Sequence, residues 1–155
     1  MATPDFILAL REKIGTDWLW LAAVTAVVLR DDEVLLVRRA DNGEWTAVTG
    51  IIDPAEEPAV AAERETLEEA GVVARAEALT WVHVIPPHIY ENGDKSQFLD
   101  IAFRCSWISG EPYPADGENT EARWFRLDAL PEMSADMRRR IQLAVDFDGV
   151  ARFER

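Results

Sequence analysis

Apolar and polar positions change their spacing several times along the chain, and each change predicts a new element. Phe6, Ile7, Leu10 and Ile14 recur at helical spacing up to Gly15, which predicts a short amphipathic N-terminal helix. The pattern leaves open whether that helix covers the core or a partner subunit.

Several segments are rich in aromatic and β-branched residues and predict strands. Residues 18–29 and 34–37 are separated by Asp31 and Asp32, which indicates two strands in a hairpin. Further strands are predicted at residues 45–48, 72–84, 97–108 and 122–125. The segment 50–58 is predicted to be a loop, and Asn92-Gly93 indicates a turn.

Two more helices complete the pattern. Residues 59–70 are rich in Ala, Glu, Arg and Leu, and Gly71 is placed to end that helix in the left-handed conformation. A last helix is predicted around residues 133–145. Strands around a central helix, with helices at both ends, predict one α/β sandwich with a mixed sheet over residues 1–155, in which 1–15 form an N-terminal extension.

Charge narrows the classes of ligand. The 155 residues include 16 basic and 29 acidic side chains, so the formal net charge is −13. This balance argues against capture of a polymeric nucleic acid, and a phosphate-bearing ligand would need a local cation. The single cysteine, Cys105, fits a small strand hydrophobe, and the absence of a roughly 20-residue apolar run or a signal peptide predicts a cytoplasmic protein without a membrane span.

Candidate chemistry is concentrated on the central helix. Glu65, Glu68 and Glu69 fall within an arc of about 100° on one surface, where like charges repel by a few tenths of a kcal/mol per pair. Only Arg64 intervenes, and it can pair with Glu68 one turn on. Three hard oxygen donors on a rigid helix suit Mg²⁺ or Mn²⁺, whereas the alternative is an acid-rich exposed helix.

The spacing around these glutamates resembles the Nudix box. The matching positions are Gly50, Glu56, Arg64, Glu65, Glu68, Glu69, Gly71 and Val72. Thr66 departs from the pattern, where an aliphatic residue is usual, and Thr49 and Ala55 stand where many members have glycine. Because a β-branched Thr49 disfavours positive φ, we expect an extended approach to Gly50. The resemblance extends over roughly residues 20–131.

Similarity to this family implies a Nudix-type α/β/α sandwich with a mixed central sheet, and an enzyme that hydrolyses a nucleoside diphosphate linked to a group X. It implies Mg²⁺ or Mn²⁺ held by Glu65, Glu69 and the Gly50 carbonyl. Glu68 would be a ligand or the base, and Arg64 would orient the glutamates. Glu56 is expected to stand behind the ligands, near the helix start.

The general base varies in such proteins and can lie outside the box. Glu118 and Glu121 are the candidates, with Glu118 preferred because its loop can reach the site; both could also be solvated loop acids. Tyr90 and Phe98 could stack on a base or simply pack. Four arginines could bind phosphate or pair with nearby acids: Arg38, Arg39, Arg104 and Arg123.

The substrate expected is a small nucleotide of the ADP-ribose type. The alternatives are a pyrophosphatase that removes damaged nucleoside triphosphates such as 8-oxo-dGTP, and a catalytically silent nucleotide-sensing module. A homodimer is possible, with residues 6–14 as a candidate interface.

Overall fold

The computed structural model describes residues 3–155 and contains one mixed sheet with helices on both faces. The strands are β1 (Trp18–Arg30), β2 (Glu33–Arg39), β3 (Trp45–Thr46), β4 (Val48–Ile51), β5 (Val73–Val84), β6 (His88–Ile89), β7 (Lys95–Ser109), β8 (Asn119–Arg126) and β9 (Arg152–Phe153). The helices are α1 (Asp5–Ile14), α2 (Pro58–Ala70) and α3 (Ala135–Val145). This confirms the predicted α/β sandwich, and no described helix is long and apolar enough to cross a membrane.

The sheet runs in the order β3-β2-β1-β7-β5-β9, with β4 paired to β1, β6 to β7 and β8 to β2. Its centre is the parallel pair of β1 and β7, and the β1 residues from Ala23 to Val28 are buried on both faces, as a parallel pair favours. β5 and β8 run antiparallel to their neighbours β7 and β2.

β1 changes partner halfway along its length. The predicted hairpin with β2 is confirmed only next to its turn, at Leu29↔Val34 and Arg30↔Glu33. In the middle of the strand, Ala23 to Ala26 pair with β4 instead, while β2 pairs with β8. The strands therefore diverge and leave a cleft between β2 and β4, lined from both by Arg39 and Thr49.

Three apolar clusters hold the layers together. Val24, Ala26 and Val28 of β1 pack against Ala61 and Ala62 of α2 on one face. The alternate residues of β1 face α3 on the other side, where Val27 lies with Met137 and Ile141. On that same face Ile7 of α1 covers Leu19 and Leu21, so α1 packs on the core of its own chain.

Several element boundaries differ from the sequence prediction. Gly50 and Ile51 belong to β4 and not to a loop, because they pair with β1; the extended approach expected at Thr49 is confirmed. The last helix starts at Ala135, where the Ser134 hydroxyl accepts a hydrogen bond from the Met137 amide at 3.1 Å. β6 and β9, of two residues each, were not predicted, since so short a run carries no alternation.

Candidate active site

Helix α2 buries its acids and exposes its large apolar side chains. Glu65 is fully buried and Glu69 is 5% exposed, while Val60 is 54% and Leu67 52% exposed. The reversal is possible because the rest of the buried face is small, with Ala61, Ala62, Thr66 and Ala70 against the sheet. Burial of a carboxylate is costly unless it is paired, so the arrangement needs a compensating cation.

Arg64 supplies part of that compensation. Its guanidinium lies 2.7 Å from Glu56, 2.8 Å from Glu65 and 3.2 Å from Glu68, measured between the nearest nitrogen and oxygen atoms. The predicted pairing with Glu68 is confirmed, and Glu56 lies beside Arg64 at the helix start. One guanidinium therefore serves three carboxylates, and Glu69 receives none of its hydrogen bonds.

Gly50 is required by the close approach of Glu65 to β4. A Cβ atom at position 50 would lie 2.1 Å from Cδ and 2.3 Å from Oε1 of Glu65. Gly50 itself has ordinary extended geometry, so the absent side chain, and not an unusual φ, explains the glycine. The Glu65 carboxylate thus packs directly on the strand backbone.

Glu69 is held from the opposite side by a residue that the sequence did not indicate. The Asn119 side-chain amide donates a hydrogen bond of 3.1 Å to Oε2 of Glu69, and Asn119 is only 7% exposed. An asparagine at the first position of a strand has no periodic or motif signal. Only its proximity to the candidate Glu118 hinted at a role.

The segment 110–118 is fastened to the C-terminal end of α2 and carries these residues into the site. The amides of Tyr113 and Ala115 donate to the carbonyls of Ala70 and Glu69, both at 3.1 Å. Gly71 ends α2 with φ 65°, and a Cβ there would lie 2.2 Å from the Tyr113 ring. Gly71 therefore both ends the helix and leaves room for the segment 110–118, here called the strap, to pass over it.

The two buried carboxylates are poorly stabilised as anions. Burial raises the pKa of Glu65 to about 7 against the opposing effect of Arg64. Burial likewise raises the pKa of Glu69 to about 7, opposed by the Asn119 hydrogen bond and reinforced by the charges of Glu65 and Asp116. Oε2 of Glu65 is buried without a hydrogen-bond partner.

These residues fit a divalent cation. The donors are hard oxygens, one buried carboxylate oxygen has no partner, and a side chain at Gly50 would fill the space beside it. Within residues 3–155, no three or more His, Cys, Asp or Glu side chains already converge as a finished cage. The site is thus incomplete in protein ligands, as suits Mg²⁺, which keeps waters and takes substrate oxygens.

The two candidate bases lie in different surroundings. Glu118 is half-buried and lines the cleft together with Glu69, Arg39 and Asn119. Glu121 does not line this cleft and instead accepts a 3.1 Å hydrogen bond from Arg38. The structure therefore brings Glu118, but not Glu121, to the buried glutamates.

Of the four candidate phosphate-binding arginines, only Arg39 lines the cleft. It is held by Asp41 through hydrogen bonds of 2.9 and 2.6 Å. Arg104 donates to the Ala144 carbonyl at the end of α3, and Arg123 lies over the rings of Trp45 and Phe125. Arg104 and Arg123 thus have structural contacts away from the cleft, and the structure does not place them where a phosphate would bind.

The cleft opens into a larger cavity of about 930 Å³ on the face of the sheet that carries α1 and α3. Gly50 and Glu69 line this cavity, as do the aromatic residues Tyr90 and Phe98. Its size is that of a small-molecule site. Of the two buried glutamates, Glu69 thus borders a pocket large enough for a nucleotide, and Glu65 lies behind the Gly50 backbone.

Comparison with known proteins agrees with the geometry. The NUDIX domain profile matches residues 20–144. A MutT-like protein of Streptomyces ambofaciens is 32% identical over 116 residues, covering 74% of this chain and 70% of that protein. An NAD-capped RNA hydrolase, NudC, of Pseudomonas aeruginosa is 34% identical over 116 residues, covering 73% of this chain but only 38% of that relative.

Among solved structures, an ADP-ribose pyrophosphatase from Streptococcus suis superposes with a TM-score of 0.66 at 20% identity, covering 86% of this chain and 96% of that one. At that identity the likeness concerns the fold. The matched profile spans most of the chain, including the acidic helix, the cleft and the strap. The chain belongs to the NUDIX family of hydrolases.

Proposed function

We propose that this chain is a Mg²⁺- or Mn²⁺-dependent hydrolase that cleaves the diphosphate of a nucleoside diphosphate linked to a further group. The observation that carries the proposal is the pair of buried carboxylates, Glu65 and Glu69, against the glycine backbone of β4. A purely structural helix has no reason to bury two acids beside small alanines while it exposes Val60 and Leu67.

The residues proposed to hold the metal are Glu65, Glu69 and the Gly50 carbonyl, with Glu68 as a more exposed ligand or base. The Glu68 side chain is 47% exposed, which leaves it free to turn toward a metal or a water. A bound divalent ion supplies charge neutralisation at the phosphoryl oxygens and lowers the pKa of water.

Glu118 is the proposed general base. It lines the same cleft as Glu69, and its position is fixed at both sides: its carbonyl accepts from the Ala40 amide at 2.9 Å, and Asn119 is tied to Glu69. Glu118 would take a proton from the attacking water and hold that water in line with phosphorus. Glu121 is a weaker candidate because Arg38 binds its carboxylate.

Two arginines have separate proposed roles. Arg64 orients the glutamates through its bonds to Glu56, Glu65 and Glu68. Arg39 is proposed to bind a phosphate oxygen, since it borders the cleft and its planar guanidinium can bind phosphate in two-point fashion.

The substrate class rests on the cavity and on the relatives. A pocket lined by Glu69, Tyr90 and Phe98 has room for groups on both sides of a diphosphate. One relative is named for NAD-capped RNA and one structural neighbour for ADP-ribose, and both of these molecules contain such a diphosphate. Because one relative is named for capped RNA, an RNA 5′ end also belongs among the test substrates, despite the net charge of −13.

A substrate panel with Mg²⁺ or Mn²⁺ tests the proposal. ADP-ribose, NAD, a UDP-sugar, a capped oligoribonucleotide and 8-oxo-dGTP are each incubated with the full chain. Phosphate that appears only after added phosphatase supports a diphosphate-linked substrate, and direct release of pyrophosphate would favour a nucleoside triphosphate. Tight binding without turnover would indicate the sensing module and contradict the proposal.

We also propose that the protein works in the cytoplasm. The thiol of Cys105 is buried, and burial raises its pKa to about 12, which suits an inert thiol in a reducing compartment such as the cytoplasm.

A further inference from the structure

The α2 face of the sheet is covered along only half its length. Val24 of β1 is fully buried beneath α2. Trp18 and Trp20 come earlier in the same strand and point to the same face, but they are 52% and 58% exposed. The intervening Leu19 and Leu21 point to the other face and lie under α1. The two tryptophans therefore stand on an uncovered sheet surface.

Cross-strand pairing shows that this surface is continuous. Ala22, Leu99 and Val84 form one row across β1, β7 and β5, because paired residues project to the same face. In the next row Val82 is opposite Phe153 of β9. Val84 is 50% and Phe153 66% exposed, so the open face reaches from β1 to the far edge of the sheet.

The open face lacks acids in a strongly acidic chain. Within the described residues of these rows, the charged side chain is Lys95, opposite Trp18. Glu154, next to Phe153, points to the opposite face, where it bonds Arg139 and the Trp81 ring nitrogen. Against a formal net charge of −13, this is a neutral to weakly basic region.

The exposed area approaches that of a subunit interface. Aromatic side chains have about 150–250 Å² each, so the exposed half to two-thirds of Trp18, Trp20 and Phe153, together with Val84 and its aliphatic neighbours, offers on the order of 500 Å². That is in the upper half of the range for the largest apolar patch of a monomer, about 300–600 Å², and more than half of the roughly 800 Å² per partner of a standard interface.

We propose that this face, centred on Trp20 and Val84, joins two copies of the chain about a twofold axis. Two bodies of charge −13 repel, so they associate best through a surface without acids, and an anionic partner such as a membrane or a nucleic acid would be repelled by the rest of the chain. An isologous contact uses the same patch on both copies, so one apolar face is covered in each chain. This surface lies on the sheet face opposite α1, which already covers its own core.

Sedimentation equilibrium of the full chain over the micromolar range tests the proposal. We expect a dimer whose dissociation constant rises at least about 30-fold in Trp20→Glu, the loss expected for one interface hot spot. Phe153→Glu, at the other end of the face and on a two-residue edge strand, should weaken the dimer as well. Circular dichroism melting confirms that each variant is folded.

Leu8→Glu is the matched control. Leu8 is 51% exposed, similar to Trp20, but lies on α1 at the other face. We expect it to remain dimeric. A wild-type chain that stays monomeric throughout the range overturns the proposal, as does a dimer lost in Leu8→Glu and kept in Trp20→Glu and Phe153→Glu. If Trp20→Glu fails to fold, Phe153→Glu decides the outcome.

Discussion

The structure buries carboxylates in two places and compensates them differently. Beneath α3, Asp100 accepts from the Thr25 hydroxyl at 2.9 Å, and Arg140 donates to Thr25 at 2.9 Å and to Asp136. His83 lies 3.3 Å from the same Asp136. Burial raises the pKa of Asp100 to about 6, while Arg140 and Thr25 oppose the shift. Two acids thus share one arginine, burial lowers the pKa of the neighbouring His83, and both Asp100 oxygens accept from Thr25, so the chain itself satisfies the buried carboxylate.

On α2 the balance is different. Glu56, Glu65 and Glu68 share the single guanidinium of Arg64, Glu69 receives no hydrogen bond from it, and Oε2 of Glu65 has no partner. The proposed function requires that a cation from outside complete the structure at this uncompensated charge. Burial of acids alone therefore does not distinguish α2 from the Asp100 cluster; the shortage of cations within the chain does.

The largest effect is expected from Glu69→Gln. The substitution keeps the Asn119 contact possible but removes the negative charge, so metal-dependent hydrolysis should fall by about 10³-fold or more, the equivalent of several kcal/mol of lost charge stabilisation. Steady-state turnover with Mg²⁺ measures it. Glu57→Gln, an exposed glutamate just before the same helix, is the control and should turn over normally. Unchanged turnover in Glu69→Gln would remove the assignment.

The internally compensated cluster should respond in stability instead. Arg140→Met leaves Asp100 and Asp136 without their cation, and breaking a buried pair costs about 3–5 kcal/mol of unfolding free energy. Urea denaturation measures the loss, with the exposed Arg139→Met expected to cost less than about 1 kcal/mol. The Mn²⁺ affinity of folded Arg140→Met should be unchanged. A large loss of affinity would mean that the Asp100 cluster and the α2 glutamates form one site, against the distinction drawn here between them.

Asn119→Leu should weaken Mn²⁺ binding by about 10- to 100-fold, because groups that orient metal ligands typically contribute this much. The hydrogen bond from the Asn119 side chain to Glu69 would be lost, while the volume of the side chain is kept approximately the same. Calorimetric titration of Mn²⁺ measures the change without need of a substrate. Thr120→Ala, at the exposed neighbouring position, is the control. Equal affinities in the two variants would show that Asn119 is merely a packed side chain.

The smallest effect concerns pH. Glu65 has a raised pKa of about 7 in the folded metal-free protein and an unfolded value near 4.5, so the folded state binds more protons between these limits. Its contribution therefore makes stability fall as pH rises from about 4.5 to 7, by a few kcal/mol at most. His83, whose pKa burial lowers, changes stability in the opposite sense below about 6.5.

The difference between wild type and Glu65→Gln isolates the carboxyl group from His83. Denaturation of both proteins without metal should show the wild type losing stability relative to the variant over this window. Excess Mn²⁺ should abolish the loss, because it binds the ionised form. A relative gain of wild-type stability with rising pH would contradict the buried, uncompensated glutamate.

Local patterns predicted the parts of the fold that depend on local chemistry. Helix α2 with its end at Gly71, the extended Thr49 and the Arg64–Glu68 pair all follow from spacing or backbone preference. The partner change of β1 could not be predicted, because its two halves have similar apolar composition and the choice between β2 and β4 depends on tertiary pairing.

The sequence grouped the three glutamates of α2 but did not predict how their burial differs. Spacing placed Glu65, Glu68 and Glu69 on one surface, yet only the packed sheet shows that two are buried and Glu68 is exposed. Asn119 was missed because its role depends on the strap that folds over the end of α2, a contact between residues 50 positions apart. Such contacts leave no period or motif in a single sequence.

If a divalent metal meets the cation deficit on α2, anomalous diffraction from crystals soaked in Mn²⁺ should reveal it. We expect an anomalous peak bounded by the carboxylates of Glu65 and Glu69 and the Gly50 carbonyl. Peaks found only elsewhere, for example at the Asp100 cluster, or the absence of any peak, would rule out the proposed metal site.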